Sequence, residues 1–152
     1  MIQRIQTVYL FISLILISLM FGVPVSEHYS LDGDFYTFEI TGLENVKGEQ
    51  IYGTLPLAIL FGVIDFLIFI SIFLYNRRVL QMRICIYNML LLTGSLGLLY
   101  YYFQDIIEKY NAPNYSFSLT VVIPLVTIIL LYLAFRGIRR DELLVKSVNR
   151  IR

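Results

Sequence analysis

The stretch that decides the fold is "LPLAILFGVIDFLIFISIFLY", residues 55–75, which is almost entirely apolar and holds one charged side chain, Asp65. A helix needs roughly 20 apolar residues to cross the hydrocarbon core of a bilayer. Three further apolar blocks approach that length, at residues 7–23, 84–103 and 119–135. The sequence therefore predicts four membrane-spanning helices.

Composition supports this interpretation and excludes several kinds of chemistry. Of 152 residues, 58% are hydrophobic and 15% are charged, whereas a soluble domain has about a quarter charged. The single cysteine, Cys85, excludes disulfide frameworks and paired-cysteine redox sites within the chain. The single histidine, His28, excludes a histidine-based metal site or catalytic triad. We therefore expect no cofactor, no enzymatic activity and no nucleic-acid partner.

The distribution of charge predicts the orientation. Ten of the twelve Lys and Arg residues precede the first block, separate the second from the third, or follow the fourth. Lys47 and Lys109 lie in the other two connections together with eight acidic residues. The positive-inside rule then places both termini in the cytoplasm. The first block begins like a signal peptide, but "MFGVPVS" (20–26) offers no clean cleavage site, so we predict a retained helix.

The predicted fold is an all-α membrane protein, a bundle of four transmembrane helices with a small β-hairpin or sheet in the first outer loop and a cytoplasmic C-terminal helix. It forms a single membrane domain, with helices at about 5–23, 55–76, 82–104 and 118–137, an outer loop at 24–54 and a tail at 138–152. In the outer loop, β-rich runs flank Asp32-Gly33, a dipeptide typical of a type I′ hairpin turn, and "VKGEQIY" (46–52) repeats the pattern around a glycine. The alternative is a solvated loop, because isolated hairpins are marginal in water.

Asp65 is the main candidate for a functional residue inside the membrane. It lies 12 residues before Arg77, about 18 Å along a helix, which is near the bilayer midplane. The four apolar blocks contain no basic residue that could pair with it. We therefore expect a neutral acid that donates a hydrogen bond, or a carboxylate that faces a wet pocket.

The face of Asp65 also carries Ala58 and Gly62, a small-xxx-small pattern that allows another helix to approach closely. Helix three has small residues of its own in "LLTGSLGLL" (91–99). We expect Asp65 to point inward and to bond at the same depth. The predicted intramembrane polar site is Asp65, Thr93, Ser95 and Thr127. Such a group stabilises helix packing or, alternatively, serves as a proton or cation site.

The basic end of the chain, "FRGIRRDELLVKSVNRIR" (135–152), carries Leu144, Val148 and Ile151 at helical spacing. A basic helix with one apolar stripe can lie on anionic lipid headgroups or dock on a partner, although the charges could also serve orientation alone. Together with the other basic connections it predicts a cytoplasmic interaction face. The predicted members are Arg4, Gln6, Arg77, Arg78, Arg83, Arg139, Arg140, Lys146 and Arg150.

Three motifs carry a family resemblance: "MIQRIQTVYL" (1–10), "LQMRICIYNMLLL" (80–92) and "IRRDELLVKSVNRIR" (138–152). Over essentially the whole chain they resemble the domain-of-unknown-function 4293 family of small four-span membrane proteins. The resemblance implies the inner membrane of a Gram-negative cell of the Bacteroidota, and it implies no activity. The motif positions are Arg4, Gln6, Arg83, Asp141, Lys146, Ser147 and Arg150.

These features lead to one preferred function and two alternatives. We expect a non-enzymatic accessory or scaffold subunit of a larger inner-membrane assembly, in contact with the lipid bilayer and with a membrane-protein partner or further copies of itself. The first alternative is a small transporter or channel subunit that uses Asp65 as its ion site. The second, an enzyme acting on lipid or isoprenoid groups, lacks the usual cluster of metal-binding carboxylates or histidines at one interface.

Overall fold

The computed structural model describes residues 4–30, 34–110 and 112–149. This part of the chain forms four α-helices and five β-strands. The helices are α1 (Arg4–Leu19), α2 (Leu55–Phe73), α3 (Arg78–Lys109) and α4 (Ile123–Asn149). The strands are β1 (Ser26–Tyr29), β2 (Phe35–Phe38), β3 (Gly42–Asn45), β4 (Gln50–Gly53) and β5 (Asn114–Phe117). Short 3₁₀ turns at Leu74–Asn76 and Leu119–Val122 precede α3 and α4.

The four helices pack side by side, with α1 and α3 each in contact with both α2 and α4. The buried face of α2 shows how the core is built, because Phe61, Ile64 and Ile68 recur every three to four residues and are fully buried. Pro56 lies in the first turn of α2, where a missing N–H costs no helical hydrogen bond.

Three of the described helical segments are long and apolar enough to span a membrane, namely Leu55–Phe73, Arg78–Lys109 and Leu119–Val145. This is consistent with a membrane protein. The first helix is shorter, at 16 residues. It ends four residues before the apolar block does, because Gly22 and Pro24 follow and neither favours a helix.

All five strands form one antiparallel sheet in the order β4-β3-β2-β1-β5. Four strands come from the connection between α1 and α2, but β5 comes from the connection between α3 and α4. It pairs with β1, and Ser26 lies opposite Phe117. The predicted bundle of four spans with only a small hairpin or sheet in the first loop is therefore wrong. The residues of β5, NYSF, do alternate polar and aromatic side chains, but only over four positions, the shortest run that indicates a strand, and all four are exposed. The strand was therefore not predicted.

The sheet is attached to the ends of the helices where α2 and α4 begin. Phe38, Ile40 and Leu43 are fully buried there and belong to the same apolar core as the helices. Thr54, just before α2, donates its hydroxyl to the carbonyl oxygen of Ile40 at 2.7 Å. The sheet and the helices therefore share one core.

Several predicted boundaries shift. The Asp32-Gly33 turn lies outside the described residues, whereas Gly48, with φ of 74°, occupies the turn between β3 and β4. That turn requires a left-handed conformation, which glycine adopts without strain. Helix α4 continues without a break to Asn149, so the basic tail extends the last helix through the described residues instead of forming a separate one.

The close approach at Gly42 should be sensitive to one added methyl group. A Cβ atom there would lie 2.5 Å from the backbone oxygen of Tyr52 and would also strike the side chain of Gln50, whereas a Cβ atom at Gly53 would meet nothing within 4 Å. We expect Gly42→Ala to reduce stability by about 1–3 kcal/mol, and Gly53→Ala to have a much smaller effect. Thermal unfolding in mild detergent measures both, and equal melting temperatures for the two variants would contradict the packing described.

His28 predicts a pH dependence of the sheet. The residue is fully buried, packs on Phe103 with a ring-centre distance of 5.2 Å, and burial lowers its pKa below the ordinary value. Because the unfolded chain binds this proton more readily, stability should be constant above about pH 6.5 and should fall as the pH drops below it. We expect His28→Phe to lose part of this slope in melting experiments between pH 7.5 and 5. Identical slopes would show that other groups cause it.

Candidate functional site

The basic residues gather at the end of the helices opposite the sheet. Helix α2 runs away from the sheet and α3 returns towards it, so the connection with Arg77 and Arg78 lies at that far end. The start of α1 and the end of α4 reach the same level, because Asp141 on α4 contacts both Gln6 on α1 and Arg78 on α3. We call this region the basic end.

A cavity of about 780 Å³ opens at the basic end between α1, the start of α3 and the end of α4. Its volume lies within the range typical of small-molecule sites. Most of its lining side chains are polar or charged. They are Gln6, Thr7, Tyr75, Arg77, Arg78, Val79, Leu80, Gln81, Asp141, Glu142 and Val145.

A short polar contact in this cavity joins the first helix to the last. Gln6 donates its Nε2–H to Oδ2 of Asp141 at 2.6 Å. The contact depends on Gly137, one turn before Asp141, because a Cβ atom there would lie 2.8 Å from Cγ of Gln6. Arg78 adds a long hydrogen bond of 3.4 Å to the backbone oxygen of Asp141. Both Gln6 and Asp141 are motif positions of the family resemblance, although the sequence did not indicate that they touch.

The wall between the cavity and the core is polar as well. Gln81 is buried and donates its Nε2–H to the backbone oxygen of Ser71 at 3.0 Å, in the last turns of α2. Seven residues further along the same face of α3, the Asn88 amide is fully buried, and neither its oxygen nor its nitrogen bonds to any described residue. Neither residue was among those predicted to form a site, although two amides spaced at i and i+7 within an apolar helix were a signal for them.

The predicted intramembrane site does not form as expected. Asp65 is half-buried, and the hydroxyl of Ser18 on α1 lies 3.3 Å from both of its carboxyl oxygens. Thr93, Ser95 and Thr127 instead donate to backbone oxygens of their own helices, those of Met89, Leu92 and Ile123. The prediction that they bond Asp65 is wrong because Asp65 follows Ile64, the centre of the buried face, and so points sideways into the groove between α1 and α2.

The glycines near Asp65 make no close approach to another part of the described chain. Added Cβ atoms at Gly62 on α2 and at Gly94 and Gly97 on α3 would meet nothing within 4 Å. The expected close crossing of the second and third helices through these glycines is therefore wrong. Their positions leave open surface beside each helix.

The remaining members of the predicted cytoplasmic face divide into two groups. Arg83, Arg139 and Arg140 are exposed and do not line the cavity. The side chains of Arg4, Lys146 and Arg150 lie outside those that the structure describes. Within residues 4–30, 34–110 and 112–149, no group of three or more His, Cys, Asp or Glu side chains could hold a metal ion.

Comparison with known protein families finds a match that covers nearly the whole chain. The family described as "Domain of unknown function (DUF4293)" matches residues 2–151. Among curated proteins, none matches this chain.

The contact between Gln6 and Asp141 can be tested by exchanging the two groups. Gln6→Glu should place two carboxylates at hydrogen-bond distance and lower the melting temperature at pH 8, at a cost of about 1–3 kcal/mol. The double variant Gln6→Glu with Asp141→Asn restores one amide and one carboxylate in reversed positions, and it should recover most of the loss. A double variant as unstable as the sum of both single variants would show that the contact does not form.

Proposed function

The chain belongs to the DUF4293 family, and from that premise we propose that it is a non-enzymatic accessory or scaffold subunit of a larger assembly in the inner membrane. The family description states no activity, so the proposal depends on the surface of this chain. The absence of enzymatic activity is inferred from the sequence, which has one histidine and one cysteine with which to build a site.

The outward position of Asp65 is the observation that carries the proposal. Asp65 is the eleventh of the 19 residues of α2, and its partner Ser18 is exposed on α1. A carboxyl group at this depth beside lipid is costly, and ionisable residues in membranes almost always face protein or a water-filled cavity. We infer that a helix of another protein covers the groove between α1 and α2.

The shape of this groove also favours a helix. Gly62 lies about one turn before Asp65, and the space beside its Cα atom is open. A small residue at such a place allows a second backbone to approach closely, and close approach is a main source of helix association in lipid. Phe66 and Phe69 are exposed one turn after Gly62 and Asp65, and they would add apolar contact area.

We favour a different protein over a second copy as the covering partner. Two copies packed symmetrically through Gly62 would bring their Asp65 side chains together, because a twofold axis places the same surface against itself. Each carboxyl would then meet another acid and no cation. A partner helix that carries a hydroxyl, an amide or a cation would satisfy Asp65 better.

The charge distribution supports the proposed orientation. The sheet end carries Lys47 and Lys109 beside many acids, whereas Arg77, Arg78, Arg83, Arg139 and Arg140 lie at the other end. The positive-inside rule assigns the basic end to the cytoplasm. A reporter protein that is active only in the cytoplasm should therefore be active when it is fused after Arg152.

Two glycines with equal space around them provide a sharp test of the assembly. Neither Gly62→Leu nor Gly97→Leu creates a contact within 4 Å at Cβ, so both variants should fold and melt like the parent in detergent. Only Gly62→Leu should block the proposed helix partner. At endogenous expression, native sizing and co-purification should show the complex for the parent and for Gly97→Leu, and its loss for Gly62→Leu.

Substitutions at Asp65 test the chemistry of the same groove. Asp65→Leu should lose the partner, whereas Asp65→Asn, which keeps an acceptor and gains donors in nearly the same volume, should retain it. A parent that runs as a monomer, or a Gly62→Leu variant that keeps its partner, would refute the proposal. A complex that contains only this chain would show that the covering helix comes from another copy of the chain. Proton or cation flux in vesicles that disappears in Asp65→Asn would favour the transporter alternative instead.

A further inference from the structure

The cavity at the basic end has opposite charges on its two walls. Arg77 and Arg78 line one wall, and Asp141 and Glu142 on α4 line the other. A purely anionic ligand would meet two carboxylates, and a purely cationic ligand would meet two guanidinium groups. A ligand that carries one charge of each sign, a few bonds apart, matches both walls.

The cationic wall includes the beginning of a long helix. The N-terminus of α3 has no side-chain cap at Arg77, and the cavity is lined there by every residue from Arg77 to Gln81. The first backbone N–H groups of a helix have no partner within the helix and carry a partial positive charge, so they bind phosphate groups readily. Arginine adds paired donors that fit phosphate oxygens.

The acidic wall is held in place before any ligand arrives. The carboxylate of Asp141 is fixed by Gln6 at 2.6 Å, and Gln6 in turn packs against Gly137. Ordering these groups in advance reduces the entropy lost on binding. Glu142, the next residue of α4, lines the same cavity.

The depth of the cavity indicates which molecules can reach it. Helix α2 ends at Phe73, and the lining residues Tyr75, Arg77 and Arg78 follow within one to two turns. Tyrosine and arginine at the end of an apolar helix mark the headgroup region of a bilayer. Val79, Leu80 and Val145 add apolar lining beside the charged groups.

We propose that this cavity binds the headgroup of phosphatidylethanolamine, with the phosphate on Arg77, Arg78 and the N-terminus of α3, and the primary ammonium on Asp141 and Glu142. The chemistry recognised is a phosphate ester of a primary amine. Phosphatidylcholine has the same charges, but its methylated nitrogen donates no N–H bond to a carboxylate. Phosphatidylglycerol has the phosphate and lacks the cation. The site is independent of the groove at Asp65, so either proposal can fail alone.

The first experiment uses the full-length parent in mild detergent with short-chain lipids. Dihexanoyl forms of the three phospholipids compete at equal concentration, and native mass spectrometry counts the bound molecules. We expect the ethanolamine lipid to bind about tenfold more tightly than the choline lipid, since a charge-assisted hydrogen bond is lost with the latter. Equal binding of all three lipids, or a preference for the glycerol lipid, would overturn the assignment.

Two variants separate the walls of the cavity. Arg77→Gln should weaken the binding of all three lipids. Glu142→Gln should weaken the ethanolamine lipid more than the choline lipid, because only the ethanolamine lipid loses an N–H bond as well as the charge attraction. Arg83→Gln is the matched control, because Arg83 is an exposed arginine that does not line the cavity. A uniform effect of Arg77→Gln and Arg83→Gln would indicate attraction by the basic end as a whole and would overturn the proposed site.

A soluble competitor distinguishes a lipid from a free metabolite. Glycerophosphoethanolamine has the same headgroup without acyl chains, and it should displace the short-chain lipid only at much higher concentration. Displacement at equal concentration would show that the acyl chains add no affinity, and it would overturn the proposal that the ligand is a lipid.

Discussion

The structure depends first on a constraint of the backbone: within hydrocarbon every N–H and C=O group must be bonded inside its own segment or to protein. The three long apolar segments therefore form helices with all their internal bonds made. The connecting residues at the sheet end do not continue the first helix, because Gly22 and Pro24 follow it and neither favours a helix. They pair with one another instead, and β5 adds the connection between α3 and α4 to the same sheet. The same requirement therefore produces helices in the apolar segments and a sheet in the connections at their ends.

The short first helix has consequences for the middle of the molecule. Helix α1 ends at Leu19, so Ser18 lies in its last turn and meets Asp65 half-way along α2. Beyond the end of α1, residues at the sheet pack against the other helices, because Val25 and Phe38 are buried in the same core. The end of α1 therefore brings the Ser18 hydroxyl to the groove in which Asp65 lies.

The basic end is organised by a second set of contacts, between the two helices that are furthest apart in sequence. Gln6 and Asp141 are 135 residues apart and share a hydrogen bond of 2.6 Å. Such a contact closes the ring of helices and holds one acidic side chain of the cavity in position. The same region contains buried amides at Gln81 and Asn88, so polarity extends from the cavity towards the core. One basic residue of this end, Arg78, therefore also has a local partner, the backbone oxygen of Asp141.

The sequence by itself determined the apolar segments, the gathering of arginines on one side and the turn at Gly48, because each depends on composition or on the conformation of one residue. It also carried the family resemblance. Tertiary structure alone decided which face of α2 turns inward, since a helix that is apolar all round presents no periodic signal, and a difference of one residue between Ile64 and Asp65 separates the core from the groove. It alone decided that Asp65 meets Ser18, that Gln6 meets Asp141 and that four exposed residues of β5 complete the sheet. These contacts depend on where separate segments end and meet, and no local pattern in the sequence indicates which residues of two distant segments will touch.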